Sequence, residues 1–291
     1  MNKIQKAKKL ILDYNFPEEL KDYGEENLGS YAEDHIRGWH FDGVVSVPII
    51  EMTPKVLADS LQYSIDIETE KMEEEDIPLG SSKIKGLPHL PSSIEWPEGY
   101  YFYTQFNFEE LKEYDMEDIF PDKGILYLFY SPKKGCKAIY YDGPVKELTI
   151  RDYPKVVDKE YDEYYLKKFK NNPAHIEFSP QLIFYVGDDA YDYEDILEFI
   201  PDDLKEQIEE LTGVSISDED SSRRILGKPM YSQGEDEFWE EDGGDRKAYF
   251  PYNNILLFND SFGEGNLHFW IAKEDLKKRN FDTIELEYSG T

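Results

Sequence analysis

The sequence is poor in cysteine, histidine and positive charge. Its single cysteine, Cys136, excludes an intramolecular disulfide and indicates a reducing compartment. It has 32 Lys and Arg against 63 Asp and Glu, a formal net charge of −31. Lys and Arg supply most of the affinity for phosphate backbones, so such a chain repels them, and anionic membranes too. We therefore expect neither nucleic acid nor membrane as a partner.

Long apolar runs are also missing. The N-terminal stretch MNKIQKAKKLILDYNFPEEL has apolar residues only at 10 to 12 before Asp13 interrupts them, too few for the core of a signal peptide. No run approaches the roughly 20 residues that span a bilayer. The sequence predicts a cytoplasmic location. Because a large charge of one sign opposes self-association, it also predicts a monomer.

Aromatic residues are abundant, with 23 Tyr, 17 Phe and 4 Trp, so the chain has the apolar surface for a sizeable core. Period-two alternation predicts a strand in LQYSIDIET. Strands are also predicted in YYFYTQFNF and in the strongly apolar GILYLFYSP, and one or two more in HIEFSPQLIFYVG. Helical spacing predicts helices over residues 3 to 15 and in FEELKEYDM, YEDILEFI and PDDLKEQIEELTG. Strands interleaved with short helices predict an α+β (mixed α/β) fold. We interpret the acidic run at 73 to 76 as a solvated linker.

Two parts of the sequence resemble each other. SSKIKGLP at 81 to 88 aligns with SSRRILGKP at 221 to 229, and GILYLFY from Gly124 aligns with GNLHFWI from Gly265. The offset is 227 − 86 = 141 for the first pair and 265 − 124 = 141 for the second. Chance agreement at a few Gly and Pro positions is the alternative. The positions that carry the repeat or its packing are Gly86, Pro88, Trp96, Gly124, Gly227, Pro229 and Gly265.

The repeat predicts one compact, β-rich body built from two similar units. Residues 1–78 would form an N-terminal helix and strands that pack on the core, and residues 79–150 the first repeat unit. Residues 151–220 would form an acidic connection of helices and strands, and residues 221–291 the second repeat unit.

The same motifs resemble a known family. GSSKIKGLPHLPSSIEWP, the Gln105-Phe106-Asn107 that ends the next strand, GILYLFY, ILGKP and KEDLKKRNF are similar to the YwqG-like family of uncharacterised bacterial proteins. The resemblance implies a mixed α/β fold with an internal duplication and a largely unassigned function. Through relatives encoded near toxin genes, it also implies a role in toxin immunity. The chain departs from the family pattern at Arg223, where a histidine is usual, and at 261 to 265, where a Trp-Gly-Asp-x-Gly turn is usual.

The common signatures of metal, nucleotide and hydrolase chemistry are absent, including CxxC pairs, HExxH, GxxxxGK[ST] and GxSxG. We therefore predict no cofactor and no metal, and favour a protein without enzymatic activity. His268 is a candidate proton carrier beside Asp260 or Glu264, although a partly exposed strand histidine is the commoner situation. Nearby lysines could lower the pKa of Cys136, but no His-Asp pair accompanies it, and we interpret it as a turn or strand-edge residue.

Acidic residues cluster around aromatic ones in two places. Residues 188 to 220 hold fourteen acids and one base, and GEDEFWEEDGGD holds seven acids around a Phe and a Trp. Carboxylates around aromatic anchors are suited to capturing a basic protein such as a toxin, whereas the plain alternative is two solvated helices and a polar loop. The predicted contact residues are Asp188, Asp189, Asp192, Glu194, Asp195, Glu235, Asp236, Glu237, Phe238, Trp239, Glu240 and Glu241.

The alternative function is a small-ligand site or an enzyme site. It would lie in a cleft between the two repeat units and use Gln105, Asn107, Asp260 and His268.

Overall fold

The fold is described by a computed structural model of the chain. It describes residues 1–16, 53–185, 193–217, 221–227, 229, 239–242, 245–248 and 254–290. Residues 193–195, 239–242 and 245–248 are described by their backbone alone. No helix in these ranges is long and apolar enough to cross a membrane.

The described chain is a mostly antiparallel β structure with several helices, which agrees with the predicted α+β class. The helices are α1 (Lys3–Asp13), α2 (Pro54–Ser60), α3 (Phe108–Leu111), α4 (Asp162–Phe169), α5 (Tyr193–Glu198), α6 (Asp202–Thr212) and α7 (Lys273–Lys277). The strands are β1 (Leu61–Lys71), β2 (Lys83–Ile84), β3 (His89–Pro91), β4 (Tyr101–Asn107), β5 (Ile125–Ser131), β6 (Gly135–Tyr141), β7 (Leu148–Ile150), β8 (Ala174–Phe184), β9 (Arg224–Leu226), β10 (Trp239–Asp242), β11 (Asp245–Ala248), β12 (Asn254–Phe262), β13 (Gly265–Ala272) and β14 (Glu285–Gly290).

Ten strands form one sheet in the order β14-β13-β12-β9-β1-β8-β2-β4-β5-β6. On one side of β1 and β8 the hairpin β4–β5 adjoins β2, and on the other side the hairpin β12–β13 adjoins β9. Each hairpin contains one register shift, between Phe102 and Thr104 in β4 and between Leu256 and Phe258 in β12. The remaining pairs, β3–β7 and β10–β11, are separate two-stranded sheets.

The chain divides into two compact units. Unit 1 comprises Met1–Ser64, Pro180–Asp220 and Gln233–Glu237, and unit 2 comprises Ile65–Ser179, Ser221–Ser232 and Phe238–Thr291. In unit 1, the ammonium group of Lys3 in α1 donates a hydrogen bond to the carbonyl of Thr212 at the end of α6. Helix α6 ends at Gly213, which adopts the left-handed conformation (φ +75°) that favours glycine. The four-part division proposed from the sequence stays a prediction.

The core of unit 2 is aromatic. The ring of Phe258 in β12 lies 5.1 Å from that of Phe106 in β4 and 5.7 Å from that of Phe269 in β13. Trp96 packs against Phe129 and Tyr153, with ring centroids 5.4 and 4.6 Å away. Contacts of this kind add to the free energy of burying the rings.

Two turns in unit 2 share an uncommon backbone. Lys85 (φ +62°) and Gly86 (φ +71°) follow β2, and Leu226 (φ +63°) and Gly227 (φ +70°) occupy the end of β9 and the position after it. A left-handed conformation costs a non-glycine residue roughly 1–2 kcal/mol. Both turns thus place a strained residue immediately before a glycine.

The other glycines and prolines that carry the repeat have separate roles. A Cβ on Gly124 would lie 2.6 Å from the Tyr140 hydroxyl, and one on Gly265 would lie 2.2 Å from the carbonyl oxygen of Ser289. These glycines therefore permit close packing. Pro88 accepts a hydrogen bond from the Arg151 N–H through its carbonyl, and Pro229 is buried.

The environment of Gly86 gives a test of this turn. A Cβ there would lie 2.2 Å from Oε2 of Glu74 and 2.5 Å from Cβ of Pro173, in addition to the cost of positive φ. We expect Gly86→Ala to lower the free energy of unfolding by about 2–4 kcal/mol in urea titrations. Gly135→Ala is the control, because Gly135 (φ +74°) has open space around it, and should cost only about 1 kcal/mol. Equal losses for both variants would contradict the packing role of Gly86.

Candidate functional site

The predicted acidic contact residues fall largely beyond the described ranges. Those outside are Asp188, Asp189, Asp192, Glu235, Asp236, Glu237 and Phe238. Glu194 and Asp195 belong to helix α5, while Trp239, Glu240 and Glu241 belong to β10, which pairs with β11. The partner-binding residues stay a prediction.

The four residues of the alternative cleft take part in three sets of contacts within unit 2. Gln105 and Asn107 hold the segment before β3. The Gln105 amide accepts a hydrogen bond from the His89 N–H at 2.9 Å and donates one to the Ser81 carbonyl at 2.7 Å. The Asn107 amide donates to the Gly80 carbonyl at 3.1 Å. Because Gln105 is fully buried, these two residues fix backbone rather than face a ligand.

A buried ionic cluster completes this region. The Lys83 side chain is fully buried, and its ammonium group pairs with Glu74 and donates to the Leu87 carbonyl at 2.8 Å. The other carboxylate oxygen of Glu74 accepts the Leu87 N–H, also at 2.8 Å. His89 lies with Nε2 3.6 Å from Glu74, while its Nδ1 accepts the Gly80 N–H. The interpretation of residues 73 to 76 as a solvated linker is therefore wrong at Glu74, whose side chain is only 14% exposed.

The electrostatics of this cluster favour an ionised carboxylate. Burial alone would raise the pKa of Glu74, but His89, Lys83 and the Leu87 N–H together lower it. Burial lowers the pKa of Lys83, and the hydrogen bond to Glu74 opposes that effect. A buried ammonium group needs such a partner, because removing one member of a buried pair leaves an uncompensated charge.

Asp260 belongs to a different cluster. Its Oδ2 accepts the Tyr103 hydroxyl at 2.6 Å and its Oδ1 accepts Nε of Arg223 at 2.8 Å. Arg223 also donates through Nη1 to the Thr69 hydroxyl at 3.3 Å. Burial, followed by Asp260, holds the pKa of Tyr103 far above its ordinary value, so this phenol stays a donor. Asp260 thus joins β4 to the residue that precedes β9.

Two lysines lie around this cluster. The ammonium group of Lys168 in α4 lies 3.4 Å from the ring centroid of Phe262, two residues after Asp260. Lys85 donates its backbone N–H to the carbonyl of Tyr103. Burial first and Lys85 second lower the pKa of Lys168, while Asp260 acts in the opposite direction. The cations here were not among the predicted site residues.

His268 differs from its expectation, whereas Cys136 lies on β6 at the edge of the ten-stranded sheet, as interpreted from the sequence. His268 is fully buried rather than partly exposed, and its Nδ1 lies 3.5 Å from Glu287, which also accepts the Trp270 indole N–H at 3.0 Å. Burial raises the pKa of the Cys136 thiol to about 12, with Lys137 opposing only weakly. Cys136 therefore lacks the thiolate character of a reactive cysteine. In the described ranges no group of three or more His, Cys, Asp or Glu is placed to hold a metal ion.

Sequence comparison assigns the family. The profile described as Domain of unknown function (DUF1963) matches residues 82–289, which is 208 of 291 positions. The chain therefore belongs to this family of uncharacterised domains. Among curated proteins, no sequence matches the chain. The matched range begins just before Lys83 and contains Tyr103, Arg223 and Asp260, whereas Glu74 precedes it.

The Glu74–Lys83 pair gives a pH-dependent prediction. Glu74→Gln leaves a fully buried ammonium group without its anion, and we expect the free energy of unfolding at neutral pH to fall by about 3–5 kcal/mol. Because folding lowers the pKa of Glu74 from its ordinary 4.5, its contribution is present above that value and is lost as pH falls through the folded value. The difference from wild type should therefore shrink in acid.

Urea titrations from pH 7 to pH 3 measure this difference. Glu75→Gln is the matched control, because Glu75 is exposed, and should change stability by no more than about 0.5 kcal/mol. A Glu74→Gln variant as stable as Glu75→Gln would show that the Glu74–Lys83 pair does not stabilise the turn at Lys85 and Gly86.

Proposed function

We propose that the protein is a cytoplasmic, acidic binding protein of the YwqG-like type that captures a basic protein partner, as an immunity protein captures a toxin. The charge of −31 supports this proposal, because a strong field of one sign speeds encounter with an oppositely charged surface.

One feature of unit 1 carries the proposal. Helix α6 buries Leu204 and Ile208 and exposes a row of carboxylates on its outer face. These exposed acids are Asp202, Asp203, Glu206 and Glu210. Lys205, the one base in the helix, lies 3.4 Å from Asp202. The row follows the predicted contact residues 188 to 195 in the chain, so both belong to one acidic stretch of the sequence.

We further propose that the large sheet arose by duplication. The paired turns at Lys85 and Leu226 support this, because 226 − 85 = 141 is the offset of the sequence repeat, and both residues precede a glycine at positive φ. Lys83 and Arg224 add to the support: 224 − 83 = 141, and both are buried cations on the short strand that precedes the turn. Each short strand also adjoins a hairpin with a single register shift.

The alternative is a small-ligand or enzyme site at Gln105, Asn107, Asp260 and His268. Of these four residues, Asp260 has surroundings that favour such a site. At Asp260 cationic and aromatic side chains gather, whereas Gln105 and Asn107 are committed to the backbone before β3.

Binding to a basic protein can be tested by charge reversal. We expect the immobilised chain to retain a basic partner from lysate of the source cells at low salt and to release most of it at high salt. Reversing Glu235, Asp236, Glu237, Glu240 and Glu241 to Lys should weaken retention by roughly tenfold or more. A second variant that reverses the four exposed acids of α6 should act in the same direction.

The matched control reverses five exposed acids elsewhere to Lys and so changes the net charge by the same amount as the 235–241 variant. These acids are Glu95, Glu98, Glu113, Glu163 and Glu285. It should retain the partner within about threefold of wild type at moderate salt, because distant exposed charges are screened. Retention that ignores salt, or that falls equally in the control, would contradict a specific acidic surface.

A further inference from the structure

Among the described residues of unit 2, two lysines are partly buried without a carboxylate partner, Lys85 and Lys168. Bases are outnumbered two to one, and many lysines lie beside carboxylates, for example Lys112, Lys133 and Lys170. In the part of the chain that the structure describes, the ammonium groups of Lys85 and Lys168 make neither an ion pair nor a hydrogen bond. Lys168 instead rests on the face of Phe262, 3.4 Å from the ring centroid.

These lysines and Arg223 belong to one place in the fold, which we call the cationic set. Tyr103 receives the Lys85 N–H at its carbonyl and donates its hydroxyl to Asp260, which also holds Arg223. Lys168 lies over Phe262, on the same strand as Asp260. Lys85 and Asp260 both act on the charge of Lys168, the first lowering its pKa and the second raising it.

Among the residues that the structure describes, the charges of the cationic set and Asp260 do not balance. Three cations and one carboxylate leave 3 − 1 = 2 positive charges, and both oxygens of Asp260 already accept hydrogen bonds from Tyr103 and Arg223. The Arg223 side chain is 22% exposed, and Lys85 and Lys168 are partly buried, so solvent screens the repulsion only in part. An anion between these groups would replace repulsion by charge-assisted hydrogen bonds.

We propose that the cationic set, Lys85, Lys168 and Arg223, is a binding site for the oxyanion of a small phosphorylated or carboxylated molecule. Arg223 offers a guanidinium oriented by Asp260 and Thr69, and the two lysines offer point charges that move with their flexible stems. A polymeric nucleic acid is not the ligand, because the net charge of −31 repels it.

Aromatic rings border the cationic set and favour a ligand with a planar or apolar part. The Phe262 ring lies 5.1 Å from that of Tyr130 and is stacked 6.5 Å from that of Tyr165. Tyr164, which meets Tyr165 edge-to-face at 4.9 Å, is 58% exposed. Exposed tyrosine beside partly buried cations combines a surface for stacking with charge for an anion.

Isothermal titration calorimetry with sodium pyrophosphate, and separately with sodium citrate, tests the site. We expect at least one of the two probes to bind saturably. Lys168→Met keeps an apolar stem against Phe262 and should weaken binding by roughly tenfold. Lys85→Gly should weaken it similarly while relieving the strain of positive φ, so lost binding will not reflect lost folding. Lys170→Ala is the control, because Lys170 follows α4 and pairs with Asp152. This variant removes one positive charge outside the cationic set and should bind like wild type.

The outcomes separate the ligand classes. Binding of pyrophosphate alone identifies a phosphoryl site, binding of citrate alone a carboxylate site, and binding of both a general oxyanion site. The proposal is overturned if neither probe binds saturably, or if Lys85→Gly and Lys168→Met bind as tightly as Lys170→Ala. The site lies in unit 2 and does not depend on the capture of a basic protein, so both variants should retain such a partner like wild type.

Discussion

The pair of hydrogen bonds on Asp260 is the constraint on which the described part of unit 2 depends. One carboxylate accepts the hydroxyl of Tyr103 at 2.6 Å and Nε of Arg223 at 2.8 Å, residues that lie 157 and 37 positions away in the sequence. Hydrogen bonds to a charged acceptor are stronger than neutral ones, and a buried carboxylate without them is costly. Asp260 therefore links the β4–β5 side of the sheet to the β12–β13 side, and these hydrogen bonds occupy both of its carboxylate oxygens.

Two other buried cations of the sheet also lie beside a carboxylate. Lys83 in β2 depends on Glu74, and Arg224 in β9 lies 3.8 Å from Asp66 and donates to the carbonyl of Ser221 at 2.6 Å. A buried ion pair adds little net stability over apolar packing but penalises every arrangement that separates its members. We infer that these pairs fix the register of the two short strands, whose few backbone hydrogen bonds define it weakly.

The sequence predicts the elements of the sheet well because their patterns are local. Strands β4 and β5 follow from their aromatic and apolar composition, and helices α1 and α6 follow from helical spacing and, for α6, from the glycine after Thr212. Helix α4 lies in a polar, Lys-rich stretch for which the sequence predicts no element. Its Phe169 is fully buried, and contacts made far along the chain decide its position.

The candidate site is less predictable from sequence, because it is made of charges that meet only in three dimensions. Asp260 was a candidate, but its partners Tyr103 and Arg223 carry no local motif, and neither does Lys168. Glu74 stands in a run of four acids, and only its contact with Lys83 distinguishes it from its exposed neighbours. The two turns at Gly86 and Gly227 can be predicted from the sequence, because positive φ favours glycine at these positions.

The central claim is that both carboxylate oxygens of Asp260 bind Tyr103 and Arg223, so that no carboxylate among the described residues pairs with Lys85 or Lys168. The most direct measurement is an NMR titration of the Lys168 side chain with carbon-13 at Cε, in the free protein and with pyrophosphate. We predict a pKa below the ordinary 10.5 in the free protein, from burial and from Lys85, and a rise when the anion is added. An ordinary pKa that does not respond to the anion would contradict the account.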